Sequence, residues 1–251
     1  VAIGCGLKEE STLVDGCGTC ECLIPFFRAI PKDPRIYDGG YGVVPYVVNQ
    51  GYISYPLIFS GGALAQWFVT RFAPKGEDPY GYFDRQIDPN VPSKILLSPY
   101  FLGSGTPDMD SSAQGAMYGL NISTEPKDIY QACLEGVAYE LRRNIDILKS
   151  MGMNPQRIFA TGGGSQNKKW LQIKANILGL PVTAMKNKDA GTIGTAIVVG
   201  TSIGLFSSLE EGMERLVQPG ETYVPNLEAK KQYDALYEIY LKMVQGQKEL
   251  K

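Results

Sequence analysis

Residues 157–203 read RIFATGGGSQNKKWLQIKANILGLPVTAMKNKDAGTIGTAIVVGTSI. The apolar run at residues 157–161 reads as a strand, and Gly162-Gly163-Gly164 breaks it with a turn. Residues 167–178 carry apolar side chains at helical spacing, residues 182–185 read as a second strand, and residues 191–203 as a helix rich in small residues. Strand, glycine turn, helix, strand, helix is the alternation of an α/β layered domain.

Working upstream, Glu125-Pro126 opens the longest predicted helix, with apolar residues at Ile129, Cys133, Val137, Leu141, Ile145 and Leu148. Ser123 or Thr124 is the expected cap, and Pro126 suits a first turn. Residues 94–102 and 115–122 read as strands around a polar loop, and residues 73–92 are mixed. Leu64, Trp67, Phe68 and Phe72 recur at helical spacing after Gly61-Gly62. Residues 43–48 and 52–59 form a predicted strand pair, while two prolines and two adjacent glycines mark residues 30–41 as loop. At the start, residues 11–14 and 20–27 predict a β-hairpin, its turn at residues 15–19. Downstream, residues 208–216 and 228–245 predict two closing helices.

Composition sets limits. The chain has 251 residues, 44% hydrophobic and 20% charged, enough for a substantial core in one large domain or two small ones. A formal charge of −2 gives no electrostatic reason to expect nucleic acid or an anionic membrane as partner. The longest mainly apolar stretch, residues 192–206, falls short of the roughly 20 residues that span a bilayer. The chain opens on Val1-Ala2-Ile3-Gly4-Cys5-Gly6 without the pattern of a signal peptide, and reads as an excised domain or processed fragment. Five cysteines, an odd number without a regular framework, predict a reducing and hence cytoplasmic setting. Cys17, Cys20 and Cys22 would need a fourth metal ligand in a chain that has no histidine, so they read as small residues in a tight strand turn and no metal site is expected. The missing histidines also exclude Ser-His and Cys-His nucleophile pairs. Any general base is a carboxylate, a lysine or a tyrosine.

Three glycine turns follow predicted strands: Gly16-Cys17-Gly18-Thr19, Gly61-Gly62 and Gly162-Gly163-Gly164. Glycine lets backbone N–H groups approach an oxyanion, and a helix starting beyond the turn adds free N–H groups and a positive dipole end. No P-loop string occurs, and Gly162-Gly163-Gly164-Ser165-Gln166-Asn167 lacks the last glycine of a dinucleotide fingerprint. Residue chemistry alone therefore reaches an α/β domain with turns suited to a phosphate-bearing ligand.

Longer strings go further. Pro99-Tyr100-Phe101-Leu102-Gly103 with Thr106-Pro107, Gly115 to Leu120 followed by Asp128 to Glu135, Thr161 to Asn167 with Trp170, Gln172 and Ala175-Asn176, and Gly191 to Gly204 occur in one order. Together with Gly18-Thr19 and Gly62-Ala63-Leu64-Ala65-Gln66-Trp67, they resemble the C-terminal domain of FGGY-family carbohydrate kinases. Cys133 and the Ser104-Gly105 pair depart from the family's usual residues.

The resemblance implies an actin-like ATPase (ribonuclease H-like) α/β domain, a mixed sheet flanked by helices, with residues 1–251 forming one nucleotide-binding domain. It implies ATP as phosphoryl donor with Mg2+, and a sugar or polyol substrate held mainly by an N-terminal domain absent from this chain. By residue matching, Thr19 contacts the ATP phosphates on the turn that Gly18 provides, and Gly62 and Gln66 line the nucleotide pocket. Gly163 and Asn167 hold the α-phosphate and adenosine side, supported by Gly162 and Gly164. Gln66 as a surface helix residue, Asn167 as a helix cap, Trp170 as core and Glu135 as a locally paired acid are the plain alternatives. The catalytic aspartate is expected just upstream of Val1, so this chain alone is expected to be inactive. The rival functions are a non-catalytic actin-like ATP-binding regulatory module and a nicotinamide oxidoreductase resting on residues 162–164. The sugar is not named by the sequence, and the oligomeric state is open, a homodimer being one candidate.

Overall fold

Strands β1 (Thr12–Cys17) and β2 (Glu21–Phe27) form the hairpin at the centre of the molecule, in a computed structural model that describes residues 1–250. β1 continues through Gly16 and Cys17, so the turn is the short Gly18-Thr19-Cys20 rather than residues 15–19. Next come α1 (Pro34–Asp38), β3 (Val43–Pro45), β4 (Tyr52–Ser54), β5 (Leu57–Ile58), α2 (Gly61–Phe72) and α3 (Pro79–Asp84). β6 (Leu96–Ser98), β7 (Ala116–Tyr118), the long α4 (Pro126–Ser150), β8 (Arg157–Thr161) and α5 (Lys168–Leu178) follow. The chain closes through β9 (Val182–Met185), α6 (Ala190–Ser202), α7 (Leu209–Leu216), β10 (Pro219–Tyr223) and α8 (Leu227–Glu249).

The main sheet runs β10-β9-β8-β1-β2-β4-β3, with β5 also paired to β2. β9, β8 and β1 are parallel and their other neighbours antiparallel, so the sheet is mixed as expected. β6 and β7 pair only with each other.

Alternation along the central strands sorts side chains to two faces. Leu13 and Leu23 enter the large core shared with α4, α5 and α8, while Val14 and Ile24 enter the smaller core with Met185 and Ile197. α4 is buried continuously from Tyr130 to Leu141, which makes it the axis of the large core. Among the described residues no helix is long and apolar enough to cross a membrane.

The structure corrects several expectations. The region read as loop holds α1, because Asp33 caps the helix by accepting from the Arg35 N–H and Pro34 suits its first position. The strand expected over residues 52–59 is divided by Tyr55-Pro56 into β4 and β5. Neither Ser123 nor Thr124 caps α4: Glu125 holds that place, and its backbone N–H donates to Asp128 at 2.9 Å. β10 was not expected, since Pro219, Gly220 and three polar or half-exposed residues give no strand pattern.

Candidate nucleotide-binding cavity

The hairpin turn stands over the start of α2. The N–H groups of Gly62 and Ala63 donate to the carbonyls of Gly18 (2.9 Å) and Thr19 (3.0 Å). These helix donors, expected to be free for an oxyanion, instead pin the turn. The fit is close: a Cβ on Gly62 would lie 2.6 Å from the Gly18 oxygen.

The second wall is the entry to α5. β8 ends at Thr161, and Gly162 then adopts φ +97°, a conformation that favours glycine, with its N–H bonded to the Lys188 carbonyl. A 3-10 turn, Gly163–Gln166, leads to Asn167, whose Oδ1 accepts from the Trp170 N–H at 2.9 Å. Asn167 is thus the helix cap of the plain alternative. Its Nδ2 also donates to both oxygens of Asp84 at 3.1 Å, and Asp84 accepts from Tyr130 Oη at 2.9 Å. Burial raises the Asp84 pKa, and these hydrogen bonds only partly offset it.

Hairpin tip, α2, α3 and the α5 entry enclose a cavity of about 670 Å3. Of the eight sequence-predicted site residues, seven line it: Gly18, Thr19, Gly62, Gln66, Gly163, Gly164 and Asn167. Gly162 does not. It lines a neighbouring cavity of about 660 Å3 with Gly16, Thr161, Lys188 and the N-terminal residues. Gln66 is exposed on the first cavity's rim, and Trp170 is core, its Nε1 donating to the Leu134 carbonyl. A methyl built on Gly163 would meet nothing within 4 Å, so this wall stands open to an occupant.

The lining includes no lysine or arginine, and its two carboxylates, Asp78 and Asp84, both belong to the α3 wall. Neither acid was singled out in the sequence. The Asp78-Pro79 pair was the available signal, a helix-start pattern.

Beneath the hairpin lies a group that sequence reasoning missed entirely. Cys17 faces Glu21 across the hairpin, and Asp15 lies two residues along on the same face. Lys174 of α5 reaches this face: its Nζ is 2.7 Å from Asp15 Oδ2, 3.0 Å from Glu21 Oε1, 3.2 Å from Cys17 Sγ and 4.5 Å from the centre of the Trp170 ring. Lys174 and Glu21 are 0% exposed, Asp15 1%. Burial and the Asp15 charge hold the Glu21 pKa well above the ordinary value. For Asp15 burial raises the pKa, but the Lys174 charge together with hydrogen bonds from Glu21, Lys174 and Cys17 outweighs it and keeps the pKa low. The two carboxyls are thus pushed in opposite directions beside one ammonium, the proton favoured on Glu21 and the charge on Asp15. The ligand atoms of Asp15, Cys17 and Glu21 could otherwise surround a metal ion, but the ammonium already sits among them. The Cys17, Cys20 and Cys22 thiols are all free, and no cluster of metal-ligating groups among the described residues includes the latter two. Glu135 is paired locally as expected, accepting from Gln131 Nε2 one turn earlier at 2.7 Å, and being buried it also accepts from the distant Ser93 N–H and Tyr233 Oη.

Comparison with known proteins gives the family and the fold. Residues 38–203 match the model of the FGGY family of carbohydrate kinases, C-terminal domain. The xylulose kinase of Bacillus subtilis (strain 168) is 24% identical over 249 residues, covering 99% of this chain and 49% of that protein. The glycerol kinase of Aquifex aeolicus (strain VF5) is 32% identical over 237 residues, covering 92% of this chain and 46% of that protein. The crystal structure of xylulose kinase from Rhodospirillum rubrum superposes with a TM-score of 0.85 at 25% identity, covering 99% of this chain and 50% of that one. The fold is the actin-like ATPase fold expected from the sequence. The chain spans about half the length of the curated relatives it matches.

Proposed function

The chain belongs to the FGGY family of carbohydrate kinases, matching its C-terminal domain, and from that premise we propose that it is the ATP-binding domain of an enzyme that phosphorylates a hydroxyl of a sugar or polyol. The observation that carries this reading is the cavity itself, where the hairpin turn and the α5 entry converge with seven of the eight expected residues. The charges give the nucleotide a direction. Carboxylates of the α3 wall repel phosphate, so the phosphates lie against Gly18, Thr19, Gly163 and Gly164, and the nucleoside lies toward Asp84 and Asn167. Thr19 offers a hydroxyl donor, and the end of α5 adds its dipole.

The residues suit a nucleotide better than a protein-bound metal. The phosphate walls contain no carboxylate, so Mg2+ would enter with the phosphates and owe this chain no ligand. When bound, Mg2+ supplies charge neutralisation on the phosphoryl oxygens. What this chain contributes is position: a glycine-lined wall close to the phosphates, a pinned turn, and a closed apolar floor at Leu134 and Trp170. In this reading residues 1–251 form the C-terminal domain. The sugar-binding residues and the aspartate that takes the hydroxyl proton belong to the half of the relatives' length that this chain does not span.

The test is a coupled assay of the full-length protein with ATP against a panel of sugars and polyols, beside calorimetry with ADP. Turnover of one member and saturable ADP binding are expected, with the 251-residue chain alone binding ADP without turnover. Absence of both ADP binding and turnover in the full-length protein would overturn the reading.

A further inference from the structure

The buried ion cluster lies where two walls of the cavity are anchored. Asp15 and Glu21 stand on the two strands whose shared tip is Gly18-Thr19, and Lys174 stands on the helix whose entry is Gly163 to Asn167. Cys17 and Trp170 line the cavity on one side and touch the Lys174 ammonium on the other, while Lys174 itself is fully enclosed.

Stability gives no reason for such a group. Removing an ammonium and two carboxyls from water costs more than burying hydrocarbon of the same volume, so an apolar trio would hold these elements together at least as well. Ionic contacts add direction. Nζ bonds are aimed at fixed atoms on β1 and β2, so the ammonium sets how far the hairpin stands from α5, which apolar packing leaves softer. A phosphate chain held between the two walls needs that separation to within a fraction of an ångström.

We infer that Lys174, Asp15 and Glu21 form a positioning device that sets the gap between the Gly18-Thr19 turn and the Gly163–Asn167 entry, and so governs affinity for the phosphate portion of the ligand. The trio touches no ligand atom and acts through the strands, Cys17 and Trp170. This inference rests on the nucleotide reading above.

The experiment compares ADP with adenosine, which lacks the phosphates, by calorimetry on the full-length protein. Lys174→Met strands a buried carboxylate, so the second variant is D15N/K174M, where the partner charge is removed as well and burial favours the neutral form of Glu21. In D15N/K174M we expect adenosine affinity within about twofold of the unaltered protein and ADP affinity reduced at least about tenfold. Unchanged ADP affinity would overturn the inference. So would an equal loss for both ligands, which would signify general loosening, and so would failure of both variants to fold, which would make the trio a determinant of the fold alone. If the unaltered protein does not bind ADP, the nucleotide reading falls and carries this inference with it; failure in the variants alone leaves that reading standing.

Discussion

Glu21 under the cavity and Glu135 in the middle of α4 are both fully buried carboxyls, and their surroundings answer the cost in different ways. Around Glu21 the answer is ionic: an ammonium reaching from α5 and a second carboxyl sharing it. Around Glu135 it is neutral: the Ser93 N–H, the Gln131 amide and the Tyr233 hydroxyl all donate to the same oxygen. The neutral arrangement joins α4 to α8 and to the segment before β6, and none of its four residues lines the cavity. The ionic one joins the elements that form the cavity walls. Of these two acids, the one with a charged partner stands where separation matters to a ligand, and the one with neutral donors stands where packing alone is served.

The comparison predicts unequal costs of removal. Lys174→Met leaves Asp15 without its cation and should destabilise by about 3–5 kcal/mol, read as a shifted midpoint in urea denaturation. D15N/K174M should recover most of that loss, because no uncompensated charge stays buried. Equal destabilisation by both variants would contradict the assignment of the cost to the stranded charge.

Glu135 breaks the symmetry in pH. Burial raises its pKa to about 7, against hydrogen bonds that pull it down, from an ordinary value of 4.5. A carboxyl raised in the folded state contributes most below the unfolded pKa, and that contribution is lost as pH climbs from about 4.5 to about 7. The full span is about 3 kcal/mol at 1.36 kcal/mol per unit. A glutamine in its place cannot ionise. The stability difference between the Glu135→Gln variant and the unaltered protein should therefore move in the variant's favour across that window by about 3 kcal/mol and then level off. Denaturant titrations at pH 5, 6, 7 and 8 check it, and a difference independent of pH would refute the raised pKa.

These contrasts also show what the sequence could disclose. The α/β alternation after residue 157, the long helix and the hairpin were legible because period and glycine placement are local properties. Gly18-Thr19 and the Gly163–Asn167 entry were legible as strings, and the structure brings them to one cavity. The ion trio was not, because its members lie 153 and 159 residues apart and only the fold brings them together. A local sign did exist: Asp15 and Glu21 interrupt apolar strands, and Lys174 sits among the apolar Trp170, Leu171, Ile173, Ile177 and Leu178 of its helix. Ionisable residues in such places need partners inside. Which partner, and that Gly62 spends its N–H on the Gly18 carbonyl, depends on tertiary contact.

Within the cavity walls the comparison narrows to glycines. Gly62→Ala would press a methyl against the Gly18 oxygen at 2.6 Å, and backbone cannot turn aside as a side chain can. The expected cost is about 1–3 kcal/mol together with weaker ADP binding, measured by thermal denaturation and calorimetry on one preparation. A variant as stable as the unaltered protein would show that the turn is not pinned.

Gly163→Ala should have the smallest effect on folding. Its added methyl meets no protein atom within 4 Å, and its backbone lies outside the left-handed region that would disfavour alanine. Stability should therefore stay within about 0.5 kcal/mol. The same methyl would occupy space on the wall proposed to take the phosphates, so ADP affinity should fall about tenfold, or about 1.4 kcal/mol of binding free energy. Gly62→Ala weakens binding by moving the wall, and Gly163→Ala by filling the space beside it, so only the first should disturb folding. An alanine at 163 that left ADP binding untouched would move the phosphates away from the α5 entry, and the charge argument that placed them there would have to be rebuilt from the Thr19 side.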